Sequence, residues 1–111
     1  MPSSKDYKMF MDEMEAEMVG KRRGVKHDSG KPRMALLPLK QMEGVARVME
    51  YGVAKYAVGD WRYVDNGHDR YLDAAMRHIA EHLNGQLDDT ESGLCHLDHA
   101  IASLIMARYF V

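Results

Sequence analysis

Apolar residues recur every three or four positions in four stretches of the chain, and charged residues occupy many of the positions between them. In residues 5–19 the recurring positions are Tyr7, Phe10, Met14 and Met18. This spacing places them on one face of an amphipathic α-helix. Because a helix of this length is only marginally stable alone in water, we expect it to dock on the rest of the chain or on a partner subunit.

Two further patterns predict the first two main helices. The first covers residues 39–56, with its apolar positions at helical spacing: Leu39, Met42, Val45, Ala46, Met49, Val53 and Tyr56. The second covers about residues 69–84, with Asp69 as its N-cap and Gly85 ending it. Its predicted core face consists of Leu72, Ala75, Met76, Ile79 and Leu83.

The third main helix is predicted to start at a cap on Thr90 or Ser92 and to run to about Tyr109. Leu97, Ile101 and Leu104 form its predicted core stripe. A parallel stripe of mostly small residues consists of His96, Ala100, Ser103 and Ala107. Small side chains at this spacing let a neighbouring helix come close, so we expect a narrow cleft between the second and third helices.

These patterns predict an all-α fold with three main helices plus an N-terminal helix. The chain is expected to form one domain over residues 1–111, comprising an N-terminal helix or arm (1–22), a basic loop (23–38) and a helical core (39–110). No stretch shows the alternation of a strand. Because three helices give only a thin core, we expect oligomerisation to complete the bundle, as a homodimer or homotetramer.

Composition narrows the classes of function. Hydrophobic residues make up 46% of the chain and charged residues 29%, which is ordinary for a soluble domain. A formal net charge of −2 gives no general case for binding a nucleic acid polymer. The single cysteine, Cys95, cannot form an internal disulfide, and no apolar run reaches the ~18 residues that a membrane span needs. We therefore expect a cytoplasmic protein with no membrane partner.

Candidate chemistry concentrates in two histidine-bearing segments, His78-x-x-Glu81-His82 and His96-x-x-His99. Residues three and four apart share a helix face, so the two segments could converge between two antiparallel helices. Imidazole and carboxylate together bind divalent metals. The predicted ligands are His78, Glu81, His96 and His99, with Glu91 the next candidate. Glu81, Asp98 and His82 are the candidates for positioning or deprotonating a water molecule.

Basic residues elsewhere suit a phosphate-bearing substrate. One turn-forming segment, with Gly30 and Pro32, carries the basic residues Lys26, Lys31 and Arg33 together with Asp28, a further candidate for binding the substrate. The main helices or their ends carry Lys55, Arg70 and Arg77. Trp61, the one tryptophan, is a candidate platform for a nucleotide base. The plainer interpretations are a solvated basic loop, a tryptophan that covers the core, and histidines that are hydrogen-bonded surface residues.

Several motifs occur in an order that identifies a family. They are Lys26-His27-Asp28-Ser29-Gly30-Lys31-Pro32-Arg33, Leu36-Leu37-Pro38, Tyr51-Gly52-Val53-Ala54-Lys55-Tyr56, Asp60-Trp61-Arg62, Arg77-His78, Glu91-Ser92-Gly93 and His96-Leu97-Asp98-His99-Ala100. In these motifs the chain resembles the phage and bacterial dATP/dGTP diphosphohydrolases, which are related to the MazG-like all-α nucleoside triphosphate pyrophosphatases. The resemblance implies a MazG-like helical bundle.

The resemblance also implies hydrolysis of a purine deoxynucleoside triphosphate to its monophosphate and pyrophosphate, with Mg²⁺ or Mn²⁺. MazG-like enzymes typically carry Glu-x-x-Glu and Glu-x-x-Asp where this chain has His78-x-x-Glu81 and His96-x-x-His99. Fewer carboxylates favour Mn²⁺, Co²⁺ or Zn²⁺ over Mg²⁺, or imply that Asp88, Asp89, Glu91 or Asp98 completes the site.

Metal-assisted hydrolysis of dGTP or dATP is therefore the leading hypothesis. One alternative is a phosphohydrolase of the His-Asp type that acts on nucleotides. A second alternative is a non-catalytic helical interaction module that a metal stabilises.

Overall fold

The computed structural model describes residues 4–21 and 23–111, except for the side chains of residues 18–21. Residues 1–3 and 22, and the predicted apolar position of the Met18 side chain, lie outside the described part. The chain divides into two compact units, Met1–Met34 and Ala35–Val111. The prediction that the whole chain acts as one domain stays a prediction.

In the first unit, helix α1 spans Ser4–Lys21 and confirms the predicted N-terminal helix. Its apolar side chains are exposed, including Tyr7 and Phe10 at 61% and 58%. The basic segment after α1 has no regular structure up to a turn at residues 29–31. In that turn the Lys31 N–H donates to the Asp28 carbonyl at 3.0 Å, and Gly30 adopts a positive φ of 82°, which glycine tolerates without strain.

In the second unit, three α-helices form the core: α2 (Glu43–Lys55), α3 (Gly67–Leu83) and α4 (His96–Tyr109). Helices α3 and α4 share the most extensive contact, and α2 packs on α4. Short 3₁₀ helices lie at Met34–Leu36 and Asp60–Tyr63. The described residues contain no β-strand, only an isolated bridge between Asp88 and Cys95. The all-α prediction is confirmed.

Three predicted helix starts were wrong. Helix α2 begins at Glu43, not Leu39, because the backbone from Pro38 to Met42 closes into turns. Helix α3 begins at Gly67 after Asn66, a left-handed residue with φ 54°, so Asp69 lies inside the first turn and is not the N-cap. Gly85 follows the helix with a φ of 88°, as predicted for its end.

The third wrong start is that of α4, which begins at His96, not near Thr90 or Ser92. The preceding residues form a compact loop instead. Within it the Asp89 N–H donates to the Leu94 carbonyl at 2.8 Å, the Gly93 N–H donates to the Asp89 carbonyl at 2.7 Å, and Gly93 has a φ of 73°. This loop places Asp89 and Ser92 over the first turn of α4.

The core is built from small and β-branched side chains. Val45 and Val48 of α2 pack with Ala102 of α4, and Ala75 of α3 is also buried. The α4 stripe of His96, Ala100, Ser103 and Ala107 is buried, with each residue at most 6% exposed, and His96 meets His78 of α3. The cleft predicted between these helices is thereby confirmed.

The predicted core stripe of α4 was wrong. Leu97, Ile101 and Leu104 are 41%, 38% and 45% exposed. Two residues of the predicted core face of α3, Met76 and Leu83, are exposed as well, at 66% and 78%. Because α4 is apolar around most of its circumference, residue spacing alone could not tell which face is buried. Among the described residues no helix is long and apolar enough to cross a membrane.

Candidate functional site

Three histidines meet in the cleft between α3 and α4. His78 lies in the middle of α3, and His96 and His99 lie in the first turn of α4. The Nδ1 atoms of His78 and His96 are 2.8 Å apart. The rings of His78 and His99 stack with their centroids 4.5 Å apart and their planes 11° from parallel. Small residues on α4 make this approach feasible, since larger ones would separate the helices.

The loop before α4 brings a carboxylate to the histidines. Asp89 Oδ2 accepts hydrogen bonds from the backbone N–H of Ser92 at 2.9 Å and from its hydroxyl at 2.8 Å. Ser92 Oγ also lies 2.7 Å from His99 Nε2. A hydroxyl has one proton, and Ser92 gives it to Asp89, so His99 donates from Nε2 and keeps a lone pair on Nδ1. Ser92 thus ties Asp89 to His99.

Three side chains are placed to hold one metal ion. One ligand atom each from His78, Asp89 and His96 lies within 4.8 Å of the others. His78 and His96 are predicted ligands, and Asp89 is one of the carboxylates predicted to complete the site. His99, another predicted ligand, stacks on His78 beside this trio. Two imidazoles and a carboxylate form a donor set suited to Mn²⁺, Co²⁺ or Zn²⁺.

The protonation states of the cluster suit metal binding. Burial, followed by the neighbouring His99 and His96, lowers the pKa of His78 below its model-peptide value of 6.5. Burial also lowers the pKa of His99, although Asp89 opposes this shift. For Asp89, burial opposes ionisation, but the two Ser92 hydrogen bonds outweigh it and hold the pKa below 3.8. These directions favour neutral His78 and His99 and an ionised Asp89 near pH 7.

Glu91, the next predicted ligand, is engaged in an ion pair. Lys55 Nζ donates to Glu91 Oε1 at 2.8 Å. This bond is the largest influence raising the pKa of Lys55 and lowering the pKa of Glu91. Burial and then Glu91 raise the pKa of Tyr51, whose ring meets that of His99 edge-on with centroids 6.4 Å apart. The structure thus places Lys55 and Glu91 together at the margin of the cluster.

The three candidates for handling a water molecule occupy different surroundings. Glu81 is exposed and lines a cavity of about 330 Å³ together with Arg77, His78, Asp89 and His96. His82 Nδ1 is buried and makes no hydrogen bond within the described part of the chain. Asp98 lies against Gly44 in the first turn of α2. Glu81 is the one of these three that opens on the metal-binding trio.

Two larger cavities surround Trp61. One, of about 870 Å³, is lined in part by Trp61, Arg70 and Arg77. The other, of about 460 Å³, lies between α2 and α4 and includes Trp61 and His99 in its wall. Trp61 also meets Tyr109 edge-on with ring centroids 5.0 Å apart, and the Arg62 guanidinium lies 4.6 Å from the Trp61 ring centre. Trp61 therefore supports the fold and borders both cavities.

The remaining predicted substrate contacts belong to the first unit. Lys26, Asp28, Lys31 and Arg33 are exposed there. Their predicted roles in binding the substrate, like the roles of the other site residues, stay predictions.

Sequence reasoning missed Ser92 as a site residue, and it ranked Asp89 below the histidines. A local signal was present in Asp89-Thr90-Glu91-Ser92-Gly93, because Asp followed by Ser and Gly is typical of turns in which side chains bind nearby backbone. Tyr51 carried no such signal, since an aromatic residue in a helix is ordinary core.

Comparison with known proteins decides the family. The profile described as dATP/dGTP diphosphohydrolase, N-terminal, matches residues 21–111. The chain belongs to this family. The resemblance inferred from the motif order is thereby confirmed.

A dATP/dGTP diphosphohydrolase of Salmonella phage PMBT28 is 37% identical over 82 residues. These residues are 74% of the present chain but 28% of the phage protein, so the chain corresponds to little more than a quarter of that relative. No solved structure matches the chain.

Proposed function

We propose that this family member is a metal-dependent nucleoside triphosphate diphosphohydrolase that converts dGTP, dATP or both to the monophosphate and pyrophosphate. The observation that carries the proposal is the convergence of His78, Asp89 and His96 in the cleft between α3 and α4, beside Arg77. The name of the family and of the phage relative supports the choice of reaction and of purine substrates. The cytoplasm, of a host cell if the protein is phage-encoded, is the compartment we propose.

The residues of the cluster fit a divalent metal. The His78 and His96 Nδ1 atoms, 2.8 Å apart, match two nitrogens bound at right angles to one ion at about 2.0–2.1 Å each, and they would separate to about 3.3 Å on a tetrahedral ion. Because Oδ2 of Asp89 already accepts two bonds from Ser92, its other oxygen is the freer one for a metal. We propose Mn²⁺ as the preferred ion, with Mg²⁺, Co²⁺ or Zn²⁺ as substitutes. When bound, the ion would polarise a phosphoryl oxygen or acidify a water molecule.

The surrounding side chains supply the rest of the chemistry. Arg77 lies at the junction of the 330 Å³ and 870 Å³ cavities, so its guanidinium can bind the phosphates leaving as pyrophosphate. Arg70 lines the same larger cavity. Glu81 can accept a proton from the attacking water, because it is the exposed carboxylate beside the trio. We propose, on the basis of their charge, that Lys26, Lys31 and Arg33 also bind phosphate.

The test removes and restores the metal. Purified protein is stripped with a chelator, supplied in turn with Mn²⁺, Mg²⁺, Co²⁺ or Zn²⁺, and assayed for pyrophosphate release from dGTP and dATP. We expect no turnover without metal and the fastest turnover with Mn²⁺. His96→Ala should lower kcat/KM roughly 100-fold or more, by analogy with the loss of a metal ligand or its support. The exposed His68, paired with Asp69 at 3.0 Å, gives the control His68→Ala.

Two results would contradict the proposal. Absence of turnover with every metal would remove the enzymatic function and leave the metal-stabilised interaction module. Release of orthophosphate or of intact triphosphate, in place of pyrophosphate, would point to the His-Asp type of phosphohydrolase.

A further inference from the structure

The 460 Å³ cavity between α2 and α4 has the character of a pocket for a flat, mostly apolar ring. Its walls combine aromatic side chains with aliphatic ones and methionines, including Tyr56, Trp61, Tyr71 and Met106. Such surfaces stack on nucleic acid bases with little dependence on sequence. The cavity is large enough to be a ligand site rather than a packing defect.

Gly52 keeps this cavity open. It lies inside α2, where glycine stabilises a helix less than alanine does. A Cβ built at this position would meet no other heavy atom within 4 Å. Val48, Gly52 and Tyr56 are four residues apart and all line the cavity, so a side chain at position 52 would project into it. Gly52 thus leaves a gap on the helix face that borders the cavity.

The cavity also reaches the metal-binding cluster. His99 forms part of its wall, and the His99 ring stacks on that of His78 at 4.5 Å. A nucleoside in the cavity can therefore direct its 5′ end past His99 toward His78, Asp89 and His96. The cavity, His99 and the cluster thus follow one another in the order in which the base, sugar and phosphates of a nucleotide are joined.

The larger cavity of about 870 Å³ shares Trp61, Tyr56 and Tyr71 with this one but has more charged residues in its wall, since the smaller cavity has Arg62 alone beside His99. Asp60, Arg70, Asp73 and Arg77 line the larger cavity. Four charged groups would have to lose water to surround a base, whereas the two arginines suit phosphate oxygens. The distribution of charge thus separates a place for the base from a place for the phosphates.

We infer that the base of the nucleotide occupies the cavity between α2 and α4, and that Gly52 determines the room available to it. This inference rests on the proposed function for the identity of the ligand. Gly52, in the segment from Tyr51 to Tyr56, is thereby one of the residues that determine specificity.

The test uses the single tryptophan as a reporter. Trp61 borders the cavity, so titration with dGMP or dAMP should change its fluorescence. We expect the Kd for dGMP to rise about tenfold or more in Gly52→Leu, which fills the cavity, and to rise less in Gly52→Ala. Ala54→Leu is the matched control, since Ala54 is exposed two residues along α2 and does not line the cavity. Circular dichroism and thermal melting check that each variant folds.

The outcomes distinguish this inference from the proposed function. If Gly52→Leu binds dGMP like the wild type, the inference is overturned, whatever the wild type does with dGTP. If Ala74→Leu, in the wall of the larger cavity only, weakens dGMP binding while Gly52→Leu does not, the base lies in that cavity and the inference is also overturned. If the wild type binds dGMP in a Gly52-dependent manner but releases no pyrophosphate, the inference stands and the proposed reaction fails.

Discussion

At the scale of single residues, Ser92 has more influence than its size suggests. Its hydroxyl contacts both Asp89 Oδ2 and His99 Nε2, at 2.8 Å and 2.7 Å, and its Oγ accepts a bond from the Leu94 N–H at 3.2 Å. One side chain therefore fixes the carboxylate, the orientation of one imidazole and the loop that carries both. Groups that orient metal ligands commonly matter almost as much as the ligands themselves.

Ser92→Ala should weaken metal binding about 10- to 100-fold, because Asp89 loses a donor and His99 loses its partner. The free energy of unfolding should fall by about 1–2 kcal/mol, as expected when a partly buried hydrogen bond is removed. Calorimetric titration with Mn²⁺ and denaturant unfolding measure the two effects. Ser92→Thr, which keeps the hydroxyl, should restore much of the affinity, and Thr90→Ala in the same loop is the control. Unchanged Mn²⁺ affinity in Ser92→Ala would show that Asp89 is positioned without Ser92.

At the scale of helices, Gly44 and Gly52 make α2 a sensitive element. Both glycines lie in α2, but a Cβ added at one position would have different surroundings from a Cβ added at the other. At Gly44 it would collide with the Asp98 carboxylate of α4, whereas at Gly52 it would meet open space. Asp98 thus lies at the first turn of α2, where the positive end of the helix dipole favours a negative charge.

The two glycines should respond to alanine in opposite directions. Gly44→Ala forces Asp98 away from the first turn of α2 and should lower the free energy of unfolding by roughly 1–3 kcal/mol, as overpacking commonly does. Gly52→Ala should raise it by about 0.5–1 kcal/mol, because alanine is the better helix former and no atom obstructs it. Denaturant unfolding of both variants measures the difference. Equal effects in the two variants would contradict the close approach of α2 and α4 at Gly44.

The helices also show what sequence could and could not predict. Periodicity predicted the four α-helices of the described residues, since amphipathic spacing reflects burial on one side. The histidines of α3 and α4 predicted the centre of the candidate site. The spacing failed on α4, because Leu97 and Ile101 fit a core stripe as well as Ala100 and Ser103 do. The start of α4 was wrong because Ser92, a good N-cap by residue type, is used by Asp89 and His99. Packing between helices decided the first case, and side-chain hydrogen bonds within the loop and to His99 decided the second.

At the scale of the whole molecule, exposed apolar side chains of α3 and α4 form a face whose role the fold does not explain. Ala102 of α4 packs with Val45 and Val48 of α2, Met106 packs against this cluster, and Ala100 and Ser103 are buried. At about 100° per residue, Leu97, Ile101 and Leu104 lie on the remaining flank, away from α2. At the same spacing Met76, Ile79 and Leu83 of α3 lie within about 60° of one another around their helix, and all three are exposed. Apolar patches of this kind are typical of interfaces between subunits.

We propose that a second copy covers this face, giving the homodimer or homotetramer that the thin core of three helices also favours. Two helices from each copy would then form a four-helix arrangement, with packing of the kind found in bundles. Charge on the face should oppose association, because a carboxylate would be buried against apolar side chains without a partner.

Ile101→Asp, combined with Met76→Glu, should therefore convert the oligomer to monomers in light scattering coupled to size exclusion at micromolar concentration. Ala46→Glu, on an exposed position of α2, adds charge outside the face and should leave the mass unchanged. If the double variant keeps the mass of the wild type, this face is not the interface. If wild type is itself monomeric at high concentration, the three-helix unit is stable with its apolar flank in water. Since the His78, Asp89 and His96 trio lies within one chain, the double variant should keep binding Mn²⁺ as a monomer.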